Sequence, residues 1–273
     1  LFAKESQTLG DIVDTRSPLY QRFFEPLAVG VMNTPAEISS ARLLGSVLRQ
    51  TFASGADACM PRMAKQGLSE TFVDPALTYL KKHGVFYHEN VRLRKIETAS
   101  SKITQLRFSD DKKRLSPGEI VLLATPATVT ANLIPELIIP TDTFPIVNAH
   151  FRLPNGFQPV NNAGLIGILG GTAQWLFFRG DIISATVSAA ENIVDVPANS
   201  IAQMIWSDIA QSVKALPNNI PSAHRIVKER RATISQTPES NRLRPNTICH
   251  LDNLLLAGDW TNTGLPATVE GSI

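Results

Sequence analysis

The spacing of hydrophobic positions along the chain changes several times, and each change marks a predicted element. Leu19, Tyr20, Phe23, Phe24, Leu27 and Val31 make the stretch from Pro18 to Val31 read as a helix. Thr34-Pro35-Ala36-Glu37 has the form of a capping box, with Thr34 as cap, Pro35 at the first helical position and Glu37 reaching back. Ile38, Ala41, Leu44, Leu48 and Phe52 then recur at helical spacing. Asp74-Pro75 opens a shorter helix with Leu77 and Leu80 on one face. Lys81, Lys82 and His83 complement its C-terminal dipole, and Gly84 closes it. From there the pattern turns to strands: Val85 to His88, Val91 to Ile96, Ile103 to Phe108 and Ile120 to Ala124. A second strand-rich stretch, 144–190, contains Pro145 to Phe151, Leu165 to Leu169, Gln174 to Phe178 and Ile182 to Val187. Gly164, Gly167, Gly170 and Gly171 punctuate that stretch with strands on both sides, so hairpin turns are favoured over a phosphate cradle, which needs a strand on one side and a helix on the other. Ser200-Ile201-Ala202-Gln203 is a second capping-box pattern, with Ile201, Met204, Ile205, Ile209 and Val213 on one face of its helix. A strand near Arg225 to Arg230 and a short buried strand from Leu254 to Ala257 complete the pattern.

The composition, 43% hydrophobic and 18% charged over 273 residues, is globular and permits one large domain or two ordinary ones. With 26 basic and 24 acidic residues the net charge is +2, and no basic block stands out. The densest charge run, Asp110-Asp111-Lys112-Lys113-Arg114, mixes signs and reads as a solvated hairpin tip, so nothing points to nucleic acid. Cys59 and Cys249 form neither a CxxC nor a metal spacing. They fit a reducing cytoplasm as small hydrophobes, although two cysteines could also pair. His83, His88, His150, His224 and His250 make no HxH or HExxH, and GxSxG is absent, so no metal site and no nucleophilic serine is expected. No run approaches the ~18 apolar residues of a membrane span, and no apolar leader follows Leu1. The chain does not begin with Met and is expected to be part of a longer protein.

The most informative segment is Leu254-Leu255-Leu256-Ala257-Gly258-Asp259-Trp260-Thr261-Asn262-Thr263-Gly264-Leu265-Pro266-Ala267-Thr268-Val269-Glu270-Gly271. A hydrophobic strand ends at Gly258-Asp259, Gly264 permits close backbone approach, and Pro266 suits the start of a helix whose free N–H groups would face an anion or a carbonyl oxygen. Asp259, at the carboxyl end of the strand, can accept hydrogen bonds from sugar-like hydroxyls. Taken as Gly-Asp alone, the segment is an ordinary strand–turn–helix.

The whole string resembles the last flavin-binding motif of the amine-oxidase/phytoene-desaturase superfamily. The resemblance implies that Asp259 binds the ribityl chain of FAD and that Gly258, Trp260, Thr261, Gly264, Pro266, Ala267 and Thr268 lie at or beside the flavin. It also matches Val91 to a strand position whose backbone contacts the adenine, with a plain core strand as the alternative. Glu25-Pro26-Leu27-Ala28, Met32-Asn33-Thr34-Pro35, Gln174-Trp175-Leu176-Phe177 with Arg179-Gly180, and Lys228-Glu229-Arg230-Arg231-Ala232-Thr233 are similar to the hydroxysqualene dehydroxylase branch of hopanoid biosynthesis. In the superfamily an N-terminal GxGxxG unit grips the FAD diphosphate. This chain has none, which implies a unit upstream of Leu1 and an apolar surface left where it would pack, open to pairing of two copies.

What the resemblance implies is an α+β fold: an incomplete Rossmann-like FAD-binding domain (61–131 and 245–273) and a substrate domain with a mixed β-sheet and helices (1–60 and 132–244). The expected substrate is an apolar isoprenoid in a long tunnel opening toward a membrane, and the expected place is the cytoplasm, peripheral to the inner membrane. A carotenoid-type desaturase, which moves hydride the other way, and a non-catalytic lipid-binding module are the rivals. No residue is singled out as the catalytic acid. His150 is a candidate but reads more readily as a satisfied strand histidine, Arg179 and Arg231 as ion-pairing residues, and Trp175 as core or tunnel lining.

Overall fold

The computed structural model describes residues 3–64, 66–153, 164–214 and 216–272. The first apolar run winds into a π-helical turn, Tyr20–Phe24, that continues as helix α1 (Glu25–Met32). Asn33 ends α1 in the left-handed conformation, φ 45°, with its N–H on the Val29 carbonyl. The capping box expected at Thr34 does not form. Thr34 is fully buried, its hydroxyl donating to Met32 O at 3.1 Å and accepting from the Gln236 N–H at 3.0 Å. With that oxygen turned inward, Ala36–Ile38 makes only a 3-10 turn, and Ser40 caps helix α2 (Ala41–Gln50) instead.

Helix α3 (Ala56–Cys59), a second π-helical turn at Ser69–Val73 and helix α4 (Asp74–Lys82) follow, and Gly84 ends α4 with φ 73°. The strand expected from Val85 to His88 is absent. Its residues have no cross-strand neighbour, and Phe86 is 90% exposed. Strands β1 (Leu93–Ala99), β2 (Lys102–Phe108) and β3 (Lys112–Arg114) form an antiparallel sheet in that order, with Asp110 and Asp111 in the last turn.

Strand β4 (Val121–Leu123) and helix α5 (Ala127–Leu133) lead to strands β5 (Thr143–Arg152), β6 (Leu165–Gly167), β7 (Trp175–Arg179) and β8 (Ile182–Val187). The predicted strand-rich stretch also spans residues 154–163, which lie outside the described residues. Helix α6 (Ala198–Ser212), strand β9 (His224–Ile234), helix α7 (Pro238–Arg242), strand β10 (Leu254–Leu256) and helix α8 (Val269–Ser272) complete the order. Pro197, not Ser200, precedes α6, and Ser200 lies inside its first turn. The large sheet runs β6-β7-β8-β5-β9. Among the described residues it is antiparallel throughout rather than mixed, and turns at Gly170–Gly171 and Gly180 join β6 to β7 and β7 to β8 directly. Among the described residues the parallel pairing is separate: Leu254–Leu256 of β10 lie beside Val121–Leu123 of β4.

Alternation in the large sheet sends Val147, Ala149, Phe151, Leu176, Ile183 and Ala185 to one face, where Ile201, Ile205, Trp206 and Ile209 of α6 cover them. The Phe151 and Trp206 rings meet at 5.0 Å between centroids. A second core joins Ile96 and Ile103 of the small sheet to Leu123, Leu254, Leu256 and Trp260, and a third gathers Leu9, Tyr20, Met32, Leu43 and Leu44. Each such side chain stabilises the fold by about 1.5–3 kcal/mol on burial. Asn33 pins the third core to the large sheet. Its amide donates to Phe144 O and Thr233 Oγ1, both at 2.9 Å, and its oxygen accepts from Ala189 N–H at 2.7 Å.

Candidate functional site

The β4–β10 pair sets the site. Both strands run in one direction, so their carboxyl ends deliver Thr125 and Gly258-Asp259 to the same edge. Gly258 has φ 138°, and a Cβ there would stand 2.8 Å from Trp260 Nε1, so the chain can turn at this point only with glycine. Trp260 turns inward. It is 1% exposed, packs in the second core and donates from Nε1 to Thr125 O at 2.8 Å, which locks the turn onto β4. Any part Trp260 plays toward a ligand therefore goes through its backbone. Thr261 is also buried, its hydroxyl donating to Gly258 O at 2.8 Å.

Asp259 is half-buried between these anchors. Burial pushes its carboxyl pKa up; the Arg244 charge and the backbone N–H groups of Asp259 and Trp260 oppose that shift. Arg244 is buried, 4% exposed, and its pKa is pushed down to about 10, chiefly by burial. Its guanidinium donates to Leu265 O at 2.7 Å, Asp259 O at 2.9 Å and Thr261 O.

Beyond the turn, Asn262, Thr263 and Gly264 are exposed, Gly264 with φ 75°. The expected helix start differs from its prediction. Pro266 and Ala267 are buried, the Ala267 N–H donates to Gln236 Oε1 at 2.8 Å, and the Thr268 N–H is taken by Pro266 O at 2.8 Å. Those two amides are engaged inside the protein, and α8 is a single turn capped by Thr268 Oγ1 accepting from Gly271 N–H at 3.3 Å. Gln236 is 1% exposed and also donates from Nε2 to Met32 O at 2.6 Å, which ties α1 to the C-terminal loop.

Eight of the sequence-predicted residues, Gly258 through Thr268, thus form one loop. Val91 stands apart. It precedes β1, is 54% exposed, and lines a separate cleft of about 750 Å³ with Phe86, His88, Arg92 and Phe108. His150 is on the face of the large sheet away from α6, bonded through Nδ1 to Ser184 Oγ at 2.8 Å. Its pKa is lowered by burial first, then by Arg225 and Arg179. The Phe144 end of β5 is the end tied to Asn33, next to Thr34 and Gln236, and His150 lies farther along the strand by about 20 Å at strand rise. It therefore belongs to the far part of that face and not to the loop.

Arg179 and Arg231 are exposed, and Trp175 lies across Gly30 of α1, where a Cβ would come within 2.5 Å of its Nε1. Cys59 and Cys249 are both free. Among the described residues no group of three or more His, Cys, Asp or Glu side chains is disposed to hold a metal, and no helix is long and apolar enough to cross a membrane.

A half-buried carboxylate at the end of a parallel strand pair, beside a glycine turn with exposed backbone, can accept hydrogen bonds from the hydroxyls of a ligand. The chain belongs to the flavin containing amine oxidoreductase family, whose model matches residues 3–273. It is 37% identical over its whole length to a hydroxysqualene dehydroxylase of Sinorhizobium fredii and 38% identical to one of Zymomonas mobilis. The chain spans 64% and 65% of the lengths of those two proteins. Its fold matches an oxidoreductase from Methanosarcina mazei with a TM-score of 0.71 at 11% identity, over 97% of this chain and 66% of that one.

Proposed function

We propose that the protein is an FAD-dependent oxidoreductase of isoprenoid metabolism that reductively removes the hydroxyl of hydroxysqualene to give squalene. The observation that supports this most is the similarity to two hydroxysqualene dehydroxylases along the entire chain, including the loop that carries Asp259. In this reading Asp259 accepts hydrogen bonds from the ribityl hydroxyls, and the exposed backbone around Gly264 lies beside the ring. Val91, on the rim of its cleft, meets the adenine end. The diphosphate grip comes from the part of the relatives' length that this chain does not span, and the same part covers the exposed apolar side chains between 56 and 92.

Reduced flavin, when bound, supplies a hydride. The carbon–oxygen bond of the allylic alcohol breaks, a carbon–hydrogen bond forms from that hydride, and a proton joins the departing hydroxyl to give water. The protein's own work is alignment of the alcohol carbon and exclusion of water. The apolar helices before Phe52 and the open face of the large sheet, with Ile146, Phe177 and Ile182, would line the path for a C30 chain. The substrate would enter from a membrane surface on the cytoplasmic side.

The test is a visible absorption spectrum of the protein prepared at the full length of its relatives. Flavin bands are expected, are expected to bleach on reduction, and should return when hydroxysqualene is added without oxygen, with squalene as product. Bound flavin that stays reduced would hand the chemistry to a desaturase acting in the opposite direction. A colourless protein would leave a lipid-binding module.

A further inference from the structure

We propose that Arg244 is the positioning residue of the flavin-side loop, resting on the flavin reading above. The guanidinium is buried and, among the described residues, makes no salt bridge, although the Asp259 carboxyl is near enough for the two charges to act on each other. Instead it donates to three backbone carbonyls of a single loop, those of Asp259, Thr261 and Leu265, and more weakly to Asn241 Oδ1 at 3.3 Å. Burying a cation against neutral oxygens is unfavourable unless the fork geometry is used in full. Arg244 Nε is one of two buried side-chain polar atoms without a partner among the described residues, the other being Ser240 Oγ. Among the described residues Arg244 is the one buried charged side chain, and it lies behind the carboxylate and backbone that face the proposed cofactor.

Each carbonyl that Arg244 holds turns the adjoining peptide inward, and so fixes which loop atoms point outward. The Asp259 and Leu265 carbonyls bracket the exposed Asn262, Thr263 and Gly264. The Asn262 N–H donates to Pro245 O at 2.7 Å, so Arg244-Pro245 forms a strap along the same loop. Arg244 does not reach the ligand face itself. It acts through Asp259 and the loop backbone, and its planar five-donor fork is the feature required rather than its charge alone.

The experiment compares wild type, Arg244→Ala and Arg244→Lys. Amide hydrogen exchange is read over 258–265 in the flavin-free protein, with β5 and β8 as the folding control. FAD affinity is read by flavin fluorescence at the relatives' full length. Both variants are expected to lose protection in the loop while the large sheet keeps it, and to bind FAD about tenfold or more weakly, as loss of charged hydrogen bonds to three loop carbonyls implies. Ethylguanidinium should restore affinity to Arg244→Ala, and ethylammonium should not. Full affinity in Arg244→Lys, equal rescue by both cations, or unchanged exchange in the loop would each overturn the proposal. If wild type binds no FAD, the flavin reading fails by itself, and the exchange data alone decide whether Arg244 holds the loop.

Discussion

The large sheet under α6 and the segment 56–92 have similar apolar content but opposite fates. In the first, alternating positions and a helix stripe meet, and Phe151, Leu176, Ile183 and Ile205 are fully buried. In the second, among the described residues, nothing is buried, and Leu68, Phe72, Tyr79 and Phe86 stand in solvent. The difference does not lie in helical propensity, since α4 forms with proline at its start and lysines at its end. It lies in whether a partner surface exists. An amphipathic pattern says that a face seeks cover and is silent on what covers it.

The widest gap between the two regions should appear on truncation. Trp206→Ala empties the space beside Phe151 and deletes the bond from Nε1 to Pro217 O, and is expected to lose about 3–5 kcal/mol. Phe86→Ser, at a residue 90% exposed, should stay within about 0.5 kcal/mol. Urea unfolding measures both. A large loss at Phe86 would mean that the segment is covered in solution and would break the comparison.

A junction residue should fall next. Gln236→Leu leaves the Ala267 N–H buried without a partner and Met32 O with the Thr34 hydroxyl alone, and is expected to cost about 1–3 kcal/mol. Because Gln236 links α1 to the C-terminal loop, its loss should also raise hydrogen exchange near Ala267 while amides of β5 and β8 keep their protection. Equal loss in both places would show that the sheet and the loop unfold as one unit.

These cases show what the pattern of residues could announce. Strands β2, β5, β7 and β8 and helices α1 and α6 were legible from period alone, because each buries a face inside this chain. The errors at Thr34 and Ser200 share a cause: a capping box is a local pattern, and Gln236 and Pro197 overrode it. Val85 to His88 has strand composition but no neighbour to pair with. At the site, the Gly258–Thr268 loop was legible as a string. Arg244 was not, since a lone arginine before a proline carries no period, and only the folded loop reveals the three carbonyls it holds. Asn33 lies inside the Met32–Pro35 string and Gln236 beyond the end of Lys228–Thr233, and the partners of both are distant in sequence.

Asp259 is intermediate between the covered and the open regions, and its substitution should have a smaller effect of opposite sign. Burial raises its pKa, so the folded state holds the proton more tightly than the unfolded chain. Its contribution to stability is present at low pH and is lost as pH rises through the folded pKa, above the ordinary 3.8. Asp259→Asn is therefore expected to leave stability at neutral pH unchanged or slightly raised while FAD affinity falls. Thermal unfolding and a flavin titration on the same samples check both halves. A clear loss of stability would show that the carboxylate is held for structure.

The smallest expected effect tests the open face of the large sheet. His150 is shifted down by burial, Arg225 and Arg179, so the unfolded chain takes up a proton that the folded chain resists. Stability should therefore rise with pH through the window between the folded pKa and 6.5, and level off above it. His150→Gln keeps a polar partner for Ser184 and should flatten that rise. Urea midpoints on either side of 6.5 give the slope. If the variant keeps the wild-type slope, neither burial nor the two arginines hold His150 down. That outcome would mean this face of the sheet is wetter than its half-buried side chains imply, and the contrast with the face under α6 would be sharper.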